Sequence, residues 1–321
     1  MGSRITLKNA ILFIIFEMLF TSVTLPYLIF YGPFTHVRDT VVTTAMTTFK
    51  HQYIATLFLP KDVIDKILAS NSSGIKSGST DKNLINFKNN HDNAIDLYNI
   101  SGKHFKGKLL LIHDPTRIKV GYSAYIPKKG ETTSSIAKRN GAIAAINAGG
   151  FVDDGMKGTG GTPQGIIIHN GKIVYSTYTN SNDNVSLIGF TSDGKLLVGH
   201  YKYSVIPLLS IKEAVSFGPA LIIDGKPMIQ KGDGGWGIAP RTAIGQRKDG
   251  TVIFLVIDGR SIKSVGATLK DVQDIMLKFG AYNAVNLDGG SSTTMYFKGK
   301  VINNPSDALG ERMVPTIFYA K

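Results

Sequence analysis

Short apolar runs alternate with two-residue turn signals along the chain from about residue 95 onward. These runs are rich in β-branched residues, which favours strands, and they include KLLLIHD, GIIIHNGKIVYS, LIIDGKPMI and TVIFLVIDG. Four dipeptides of the type that closes β-hairpins lie in this region: Asn170-Gly171, Asp193-Gly194, Asp224-Gly225 and Asp249-Gly250. The pattern therefore predicts a domain dominated by hairpins.

Two helices are predicted within this domain. One runs from Thr268 to Phe279, where apolar residues recur at helical spacing. Thr268 and Asp271 match a capping box, and a glycine follows the last apolar residue. The other helix is predicted over residues 132–139, before the strand AIAAIN. The expected fold class is α+β: a hairpin-rich mixed β-sheet domain with a few packing helices.

An apolar stretch over residues 10–34 stands apart from this pattern, because only one charged residue, Glu17, interrupts it. About 20 such residues are enough to cross a bilayer core as a helix. Arg4 and Lys8 precede the stretch, which favours a cytoplasmic N-terminus and an exported remainder. Aromatic residues follow in place of a small-residue cleavage site. The sequence predicts an uncleaved signal anchor, with a buried core helix as the alternative.

Three segments follow from these patterns. Residues 1–35 are expected to form a cytoplasmic tip and a transmembrane helix, and residues 95–321 the main domain. Between them, residues 38–70 are predicted to be helical from their apolar spacing. Residues 70–93 are rich in Ser, Asn, Gly and Lys and are expected to bury little. Residues 36–94 are therefore interpreted as a helical and polar stalk.

Composition adds information about partners. The 36 Lys and Arg outnumber the 23 Asp and Glu, for a net charge of +13. Such an excess favours anionic lipids or phosphate-bearing polymers, although a merely basic surface is the alternative. Basic runs interleaved with aromatic residues are absent from the sequence, so no nucleic-acid partner is expected. The absence of cysteine excludes disulfides and thiolate sites, and the seven histidines lack metal-ligand spacing.

Candidate site residues come from four apolar strands that each run into polar residues and glycine. They are INAGGF (146–151), APRTAIG (239–245), FLVIDGR (254–260) and VNLDGGSSTT (285–294). At such strand ends the backbone can approach a ligand closely. The candidates in these segments are Asn147, Gly149, Gly150, Arg241, Asp258, Arg260, Asp288, Gly289, Gly290, Ser291 and Thr293.

Alternatives remain for several of these candidates. Asp258-Gly259 also fits a simple hairpin turn. The amides of residues 289–292 fit either an anion-binding nest or an ordinary loop. Residues 303–315 add Asn304, Glu311 and Arg312 as further candidates, and the last two also fit a structural ion pair.

Taken in order, six segments resemble the phosphodiester glycosidase family, whose animal members are N-acetylglucosamine-1-phosphodiester α-N-acetylglucosaminidases. They are NAGGF, GPALIIDG, APRTAIG, VIDGR, GATLKDVQDIMLKFGAYNAVNLDGGSSTTM and NNPSD…GERMVP. The order of the segments, over roughly residues 100–320, makes the resemblance specific; many bacterial members carry exopolysaccharide-biosynthesis names. Ala148 departs from the family's Asn-Gly-Gly-type motif, and its methyl group is expected only to trim the pocket.

The resemblance implies a hydrolase that breaks the bond between the anomeric carbon of a sugar and a phosphate oxygen. Because a phosphomonoester is a good leaving group, the main need is to stabilise negative charge on the departing phosphate. That role is assigned to Arg241, with Arg260 as a second phosphate ligand or a partner of Asp258.

The resemblance also implies roles for the acids and the small polar residues. Asp288 and Asp258 are the candidate nucleophile or base, and Glu311 is a third. The residues expected to contact sugar or phosphate are Asn147, Gly149, Gly150, Gly289, Gly290, Ser291, Thr293, Asn304 and Arg312.

Three hypotheses stay open on the sequence alone. The first is a membrane-anchored extracytoplasmic glycosidase that acts on a sugar-1-phosphodiester of a wall or exopolysaccharide polymer. The second is a non-catalytic glycan-binding or assembly protein. The third is a phosphodiesterase whose divalent cation is held by Asp258 and Asp288, since carboxylates suit magnesium or calcium. No other cofactor is expected.

Overall fold

The computed structural model describes residues 6–48, 51–89, 91–152 and 159–321. Arg4, one of the two basic residues used to orient the predicted anchor, lies outside the described residues. The helices in the described part of the chain are α1 (Leu7–Tyr31), α2 (Thr35–Met46), α3 (Tyr53–Thr56), α4 (Lys61–Ser72), α5 (Thr133–Arg139) and α6 (Leu269–Lys278).

Short strands make up most of the rest. They are β1 (Ile95–Ser101), β2 (Lys106–Ile112), β3 (Ile118–Tyr122), β4 (Glu131–Thr132), β5 (Ala144–Asn147), β6 (Phe151–Val152), β7 (Thr162–Pro163), β8 (Ile166–His169), β9 (Lys172–Ser176), β10 (Asn184–Thr191), β11 (Leu196–Lys202), β12 (Ile211–Ser216), β13 (Ala220–Ile223), β14 (Lys226–Pro227), β15 (Arg241–Arg247), β16 (Val252–Ile257), β17 (Ala281–Leu287), β18 (Met295–Phe297), β19 (Lys300–Val301), β20 (Met313–Val314) and β21 (Thr316–Ala320).

These strands form three larger sheets and two short pairs. The largest sheet has seven strands in the order β1-β2-β16-β15-β17-β13-β14. Two five-stranded sheets have the orders β11-β10-β12-β8-β9 and β19-β18-β5-β21-β3, and the pairs are β20-β4 and β6-β7. Every strand pair in the described residues is antiparallel.

The main hydrophobic core lies where the three sheets face one another. Phe254 of the seven-stranded sheet, Phe190 of one five-stranded sheet and Phe318 of the other are all fully buried in it. A second core covers the other face of the seven-stranded sheet, where Val272 and Met276 of α6 pack. The central strands β15, β16 and β17 are thereby buried on both faces, which makes their ends rigid supports for side chains.

The α+β fold class is confirmed, and so are its local signals. The four predicted turn dipeptides lie between paired antiparallel strands. The predicted capping box is present at the start of α6, where Thr268 and Asp271 bond reciprocally. Thr132 caps α5 in the same way as predicted for a helix start. The sheets are antiparallel rather than mixed, because the hairpin turns join strands that run in opposite directions.

Helix α1 is the one helix of the described residues that has the length and apolar composition of a membrane span. Its apolar side chains project away from the rest of the chain; Phe13 is 62% and Leu19 is 64% exposed. Near its end, Phe30 is buried against the helices that follow.

The segment between α1 and the main domain is more folded than a stalk. Val42 of α2 and Ile64 and Ile67 of α4 are buried in a small helical core of their own. Residues 74–89 then lie along the domain, where Thr80 and Ile85 are buried. The expectation that residues 70–93 bury little is therefore wrong, because backbone bonds to β11 and residue 228 fix a largely polar chain in place.

Candidate active site

One edge of the seven-stranded sheet brings together segments that are distant in sequence. Strand β15 runs antiparallel to both β16 and β17, with Arg241 opposite Ile257 and Thr242 opposite Leu287. The start of β15 therefore lies beside the ends of β16 and β17, where Asp258 and Asp288 follow. The end of β5 joins them, since the Asp288 amide donates to the Ala148 carbonyl over 3.0 Å.

Asn147 holds this edge together. Its fully buried side chain donates from Nδ2 to the Asp288 carbonyl over 2.5 Å. Its Oδ1 accepts from the Thr242 hydroxyl at 2.8 Å and from the Thr294 amide at 3.1 Å. Because its oxygen and one N–H are used within the protein, Asn147 positions the carboxylate segment instead of presenting a free amide to a sugar.

The residues after Asn147 are also tied down. The Gly149 amide donates to Thr316 Oγ1 at 2.9 Å, and the Gly150 amide donates to the Ser216 carbonyl at 3.3 Å. Ala148 is completely buried in the main core. Its methyl group packs against the core, so the expectation that it trims a pocket is wrong.

Asp288 has the most unusual environment at this edge. The residue is partly exposed, but its Oδ2 is enclosed and has no hydrogen-bond partner among the described residues. Burial raises the pKa of Asp288 to about 6. Hydrogen bonding from Ser292, the charge of Arg312 and the Gly289 backbone act in the opposite direction. A carboxyl group with this pKa changes protonation near neutral pH, as acid–base and nucleophilic catalysis require.

Two neighbouring hydroxyls share this lack of partners. The Oγ1 atoms of Thr293 and Thr294 are enclosed and have no hydrogen-bond partner within the described chain. Buried polar groups are normally paired, so three such atoms within seven residues are a feature of functional segments. Thr293 was predicted from the sequence, whereas Thr294 was not, although it belongs to the same run of hydroxyl residues.

Two arginines lie close to this carboxylate. Arg260 has a left-handed backbone (φ 57°) and donates from Nη1 to Ser291 Oγ over 2.9 Å. Its guanidinium lies over Gly290, where an added Cβ would be 3.2 Å from Nη2. Desolvation and the charge of Arg312 lower the pKa of Arg260, while Asp307 opposes them. Arg312, which also acts on Asp288, stacks 5.0 Å from the centre of the Phe151 ring.

This pair of arginines has a clear electrostatic consequence. Two like charges that influence each other are held in one place, and an anion between them would remove the repulsion. The site is thus suited to a phosphate group beside the Asp288 carboxyl.

Asp258 is a second buried carboxyl of this edge, with more partners. Its Oδ1 accepts from the Asn304 amide at 2.9 Å and from Asn303 Nδ2 at 3.2 Å. Burial raises the pKa of Asp258, and these two bonds and Lys108 oppose the change. Asp258-Gly259 does not close a hairpin, so the simple turn interpretation is wrong. Asn303, which the sequence analysis missed, also bonds the Met295 amide and the Thr293 carbonyl.

Arg241 lies at the same edge, but its guanidinium is occupied. Its Nε donates to the Ala267 carbonyl at 3.0 Å, and its Nη2 donates to the carbonyls of Trp236 and Gly237. Burial lowers its pKa to about 10, with Asp233 and Asp271 acting in the opposite direction and Arg260 in the same one. These bonds hold residues 236–237 and 267 in place beside the site.

Glu311 points to a different part of the fold. Its two carboxylate oxygens accept from the Ser134 hydroxyl at 2.5 Å and the Ser134 amide at 2.8 Å. Both bonds lie in the first turn of α5, where a negative charge is favourable. Glu311 therefore fastens the segment before β20 to α5.

The glycines after Asp288 allow close packing but do not form a free nest. The Gly290 amide donates to the Pro240 carbonyl at 2.9 Å, and the Ser292 amide to the Gly289 carbonyl at 3.2 Å. An added Cβ at Gly289 would lie 2.8 Å from the Pro240 carbonyl oxygen. Gly289 is thus required for β15 and the Asp288 loop to approach each other. Across the described residues, no group of three or more His, Asp or Glu side chains is placed to hold a metal ion.

Comparisons with known proteins agree with this geometry. The sequence profile of the family described as phosphodiester glycosidase matches residues 140–321, more than half of the chain. The chain therefore belongs to the phosphodiester glycosidase family.

Individual relatives give the same result. The SPbeta prophage-derived uncharacterized protein YomE of Bacillus subtilis (strain 168) is 34% identical over 195 residues, which cover 58% of this chain and 29% of YomE. The N-acetylglucosamine-1-phosphodiester alpha-N-acetylglucosaminidase of Bos taurus is 36% identical over 76 residues, 24% of this chain and 14% of that enzyme. The chain thus matches less than a third of the length of either relative.

A solved structure shares the fold. The zebrafish N-acetylglucosamine-1-phosphodiester alpha-N-acetylglucosaminidase catalytic domain, auto-inhibited by its pro-peptide, superimposes with a TM-score of 0.60 at 23% identity. The match covers 76% of this chain and 87% of that domain.

The buried carboxyl of Asp288 predicts a pH-dependent stability. The folded-state pKa of about 6 exceeds the ordinary value of 3.8, so the folded protein binds this proton more tightly than the unfolded chain. The contribution to stability is fully present below about pH 4 and is lost as the pH rises through about 6, by roughly 3 kcal/mol. We expect Asp288→Asn to unfold at a higher urea concentration than wild type at pH 7 but not at pH 4.

The control for this measurement is Asp249→Asn, which changes an exposed turn aspartate and should alter the free energy of unfolding by less than about 0.5 kcal/mol at either pH. Equal stability of Asp288→Asn and wild type at pH 7 would contradict the burial of this charge.

Proposed function

We propose that this protein hydrolyses the bond between the anomeric carbon and the phosphate oxygen of a sugar-1-phosphodiester. The observation that carries the proposal is the Asp288 carboxyl, with an enclosed and unpartnered oxygen beside Arg260 and Arg312. Membership of the family supports the reaction class. The names of the bovine and zebrafish relatives support N-acetylglucosamine 1-phosphate as the sugar part.

The two arginines would hold the phosphate group. Guanidinium groups bind phosphate oxygens bidentately and remain charged, so they can stabilise the negative charge that develops on the leaving phosphomonoester. The Ser291 hydroxyl, already bonded to Arg260, orients that guanidinium. In this assignment the phosphate role first given to Arg241 passes to Arg260 and Arg312, because Arg241 is bonded to three backbone carbonyls.

The Asp288 carboxylate would act at the anomeric carbon, as nucleophile or as the base that activates water. In the overall reaction the C1–O bond breaks, its electron pair leaves with the phosphate oxygen, and a water oxygen bonds to C1. Above a pH of about 6 the carboxylate is the form available for this step. Asp258 and the enclosed hydroxyls of Thr293 and Thr294 would bind sugar hydroxyls.

The substrate is proposed to be part of an anionic polymer outside the cytoplasm. The net charge of +13 favours such a polymer, and α1 has the composition of a membrane anchor. With Lys8 and Arg4 on its N-terminal side, the anchor would place the remainder of the chain across the membrane from the cytoplasm.

The first test measures the bond that is cleaved. We expect the full chain to release free sugar from a methyl N-acetylglucosamine-1-phosphodiester, and in heavy-oxygen water the label should enter the sugar. Asp288→Asn should lower kcat by roughly 10² to 10⁴, since the charged form is removed, and wild-type kcat should fall as the pH drops below about 6.

Asp224→Asn is the matched control, because Asp224 is also a partly enclosed strand-end carboxyl with a raised pKa, yet it lies at the β13–β14 turn. It should keep wild-type kcat. Label found on the phosphate, together with inhibition by chelators, would favour a metal-dependent phosphodiesterase; binding without any turnover would favour a non-catalytic glycan-binding protein.

The second test concerns the phosphate. Arg260→Lys keeps the charge but removes bidentate binding, so we expect kcat/KM to fall by roughly 10². Arg247→Lys, at the opposite end of β15, makes the same change outside the site and should leave kcat/KM unchanged. If the two variants behave alike, Arg260 does not bind the phosphate.

The third test concerns the anchor. We expect the chain to remain with membranes after alkaline extraction, and the double variant Phe13→Lys/Leu19→Lys to be released, since each lysine at the centre of a span costs about 3 kcal/mol. Leu57→Lys, at a residue that is 71% exposed outside α1, is the control and should stay with the membrane. Release of the wild-type chain by alkali would contradict anchoring.

A further inference from the structure

A second cavity of about 210 Å³ lies beside the proposed active site and plays no part in the chemistry above. Its wall includes Lys103, His104, Phe105, Lys106, Ile262 and Lys263. The residues come from the turn between β1 and β2 and from the loop that follows β16. Four of the six can carry positive charge, and no acidic residue lines the cavity.

The cavity is joined directly to the catalytic edge. The Asp258 amide donates to the Lys106 carbonyl at 2.8 Å, and the Ser264 hydroxyl donates to the Asp258 carbonyl at 2.6 Å. The Lys106 amide donates back to Ser264 Oγ at 2.9 Å. The loop carrying Arg260 at its start therefore carries Lys263 on the cavity wall, and both are fixed to Asp258.

The distance between the two charged groups is limited by the chain. Three residues separate Arg260 from Lys263, so their α-carbons lie at most about 11 Å apart. Reciprocal bonds between the backbones of Ser261 and Ser264 fold the loop back and shorten that distance. The separation is on the order of one repeat of a sugar-phosphate chain.

The electrostatics of the cavity are not balanced within the described chain. Lys103, Lys106 and Lys263 form no ion pair with any described residue, whereas many other surface lysines do, such as Lys61 and Lys270. Phe105 adds an apolar surface to the wall, and Gly102 packs against its ring, which keeps the ring in position. An apolar surface surrounded by ammonium groups is complementary to a sugar that carries phosphate.

We propose that this cavity is a second phosphate subsite, which binds the phosphodiester next to the one being cleaved. The inference rests on the proposed function, and it adds that the substrate is a chain of repeated sugar phosphates instead of an isolated phosphodiester. The lysines then contribute to binding of the chain and take no part in bond cleavage.

The test compares two substrates with the full chain carrying Lys103→Ala/Lys263→Ala. With a polymer of N-acetylglucosamine 1-phosphate, we expect KM to rise about tenfold and kcat to stay unchanged, since each exposed charge contact contributes up to about 1 kcal/mol. With the methyl N-acetylglucosamine-1-phosphodiester, both constants should match wild type. Lys172→Ala/Lys300→Ala removes two exposed lysines elsewhere, lowers the net charge equally and should leave both substrates unaffected.

A binding measurement separates this inference from the proposed reaction. The affinity of the full chain for linear inorganic polyphosphate is measured at several salt concentrations, without any requirement for turnover. We expect the slope of log K against log salt to decrease by an amount on the order of one per lysine removed from the cavity, and to remain unchanged in the control variant.

Equal effects of the two double variants would mean that only net charge matters, and would overturn the subsite. A lipid-headgroup site would leave KM for both substrates unchanged, and that result would also overturn it. Loss of hydrolysis of both substrates in the wild type, with lysine-dependent polyphosphate binding intact, would contradict the proposed reaction while supporting the cavity as a phosphate site.

Discussion

The buried side-chain amide of Asn147 is the interaction on which the geometry of the site depends. It connects β5 of one sheet to Thr242 of the seven-stranded sheet and to the backbone on either side of the Asp288 loop. An interior amide is costly when unpaired and specific when its bonds are made. Because three separate groups converge on it, β5, β15 and the residues after β17 have only one arrangement in which none is left unpaired.

That rigidity allows the site to keep energetically unfavourable features. The carboxyl of Asp288 is held in surroundings that disfavour its charged form, and Arg260 and Arg312 repel each other nearby. A loosely packed edge would relax and hydrate these groups. In a fixed edge the costs persist until a ligand with one phosphate and several hydroxyls arrives, so the same groups that lower stability favour binding.

Local features of this fold were predictable from the sequence because they depend on neighbouring residues. The four turn dipeptides and the capping box at Thr268 are of this kind. The identification of Asp288 and Asp258 as strand-end acids also succeeded, since an acid after a buried run stands out. The occupancy of Arg241 and Glu311 did not, because their partners are the carbonyls of residues 236, 237 and 267 and the distant Ser134.

The packing of residues 74–89 was missed for a related reason. A polar composition predicts few apolar contacts, but it does not exclude backbone bonds to an existing strand. The Thr80 amide and hydroxyl both bond Val198, and the Tyr201 hydroxyl donates to the Thr80 carbonyl. The partner strand, which is more than a hundred residues away, supplies the order that the segment lacks.

The same kind of contact couples the N-terminal helices to the site. The Trp236 carbonyl accepts from the Arg241 guanidinium and from the Thr47 hydroxyl, and Thr44 Oγ1 accepts from the Ile238 amide. Thr43 bonds Asp233, whose charge in turn acts on Arg241. The loop that borders the site is therefore held between Arg241 and α2. Removing the residues before 95 would take away one side of that support, which is why the membrane-proximal helices and the catalytic edge form a single physical unit.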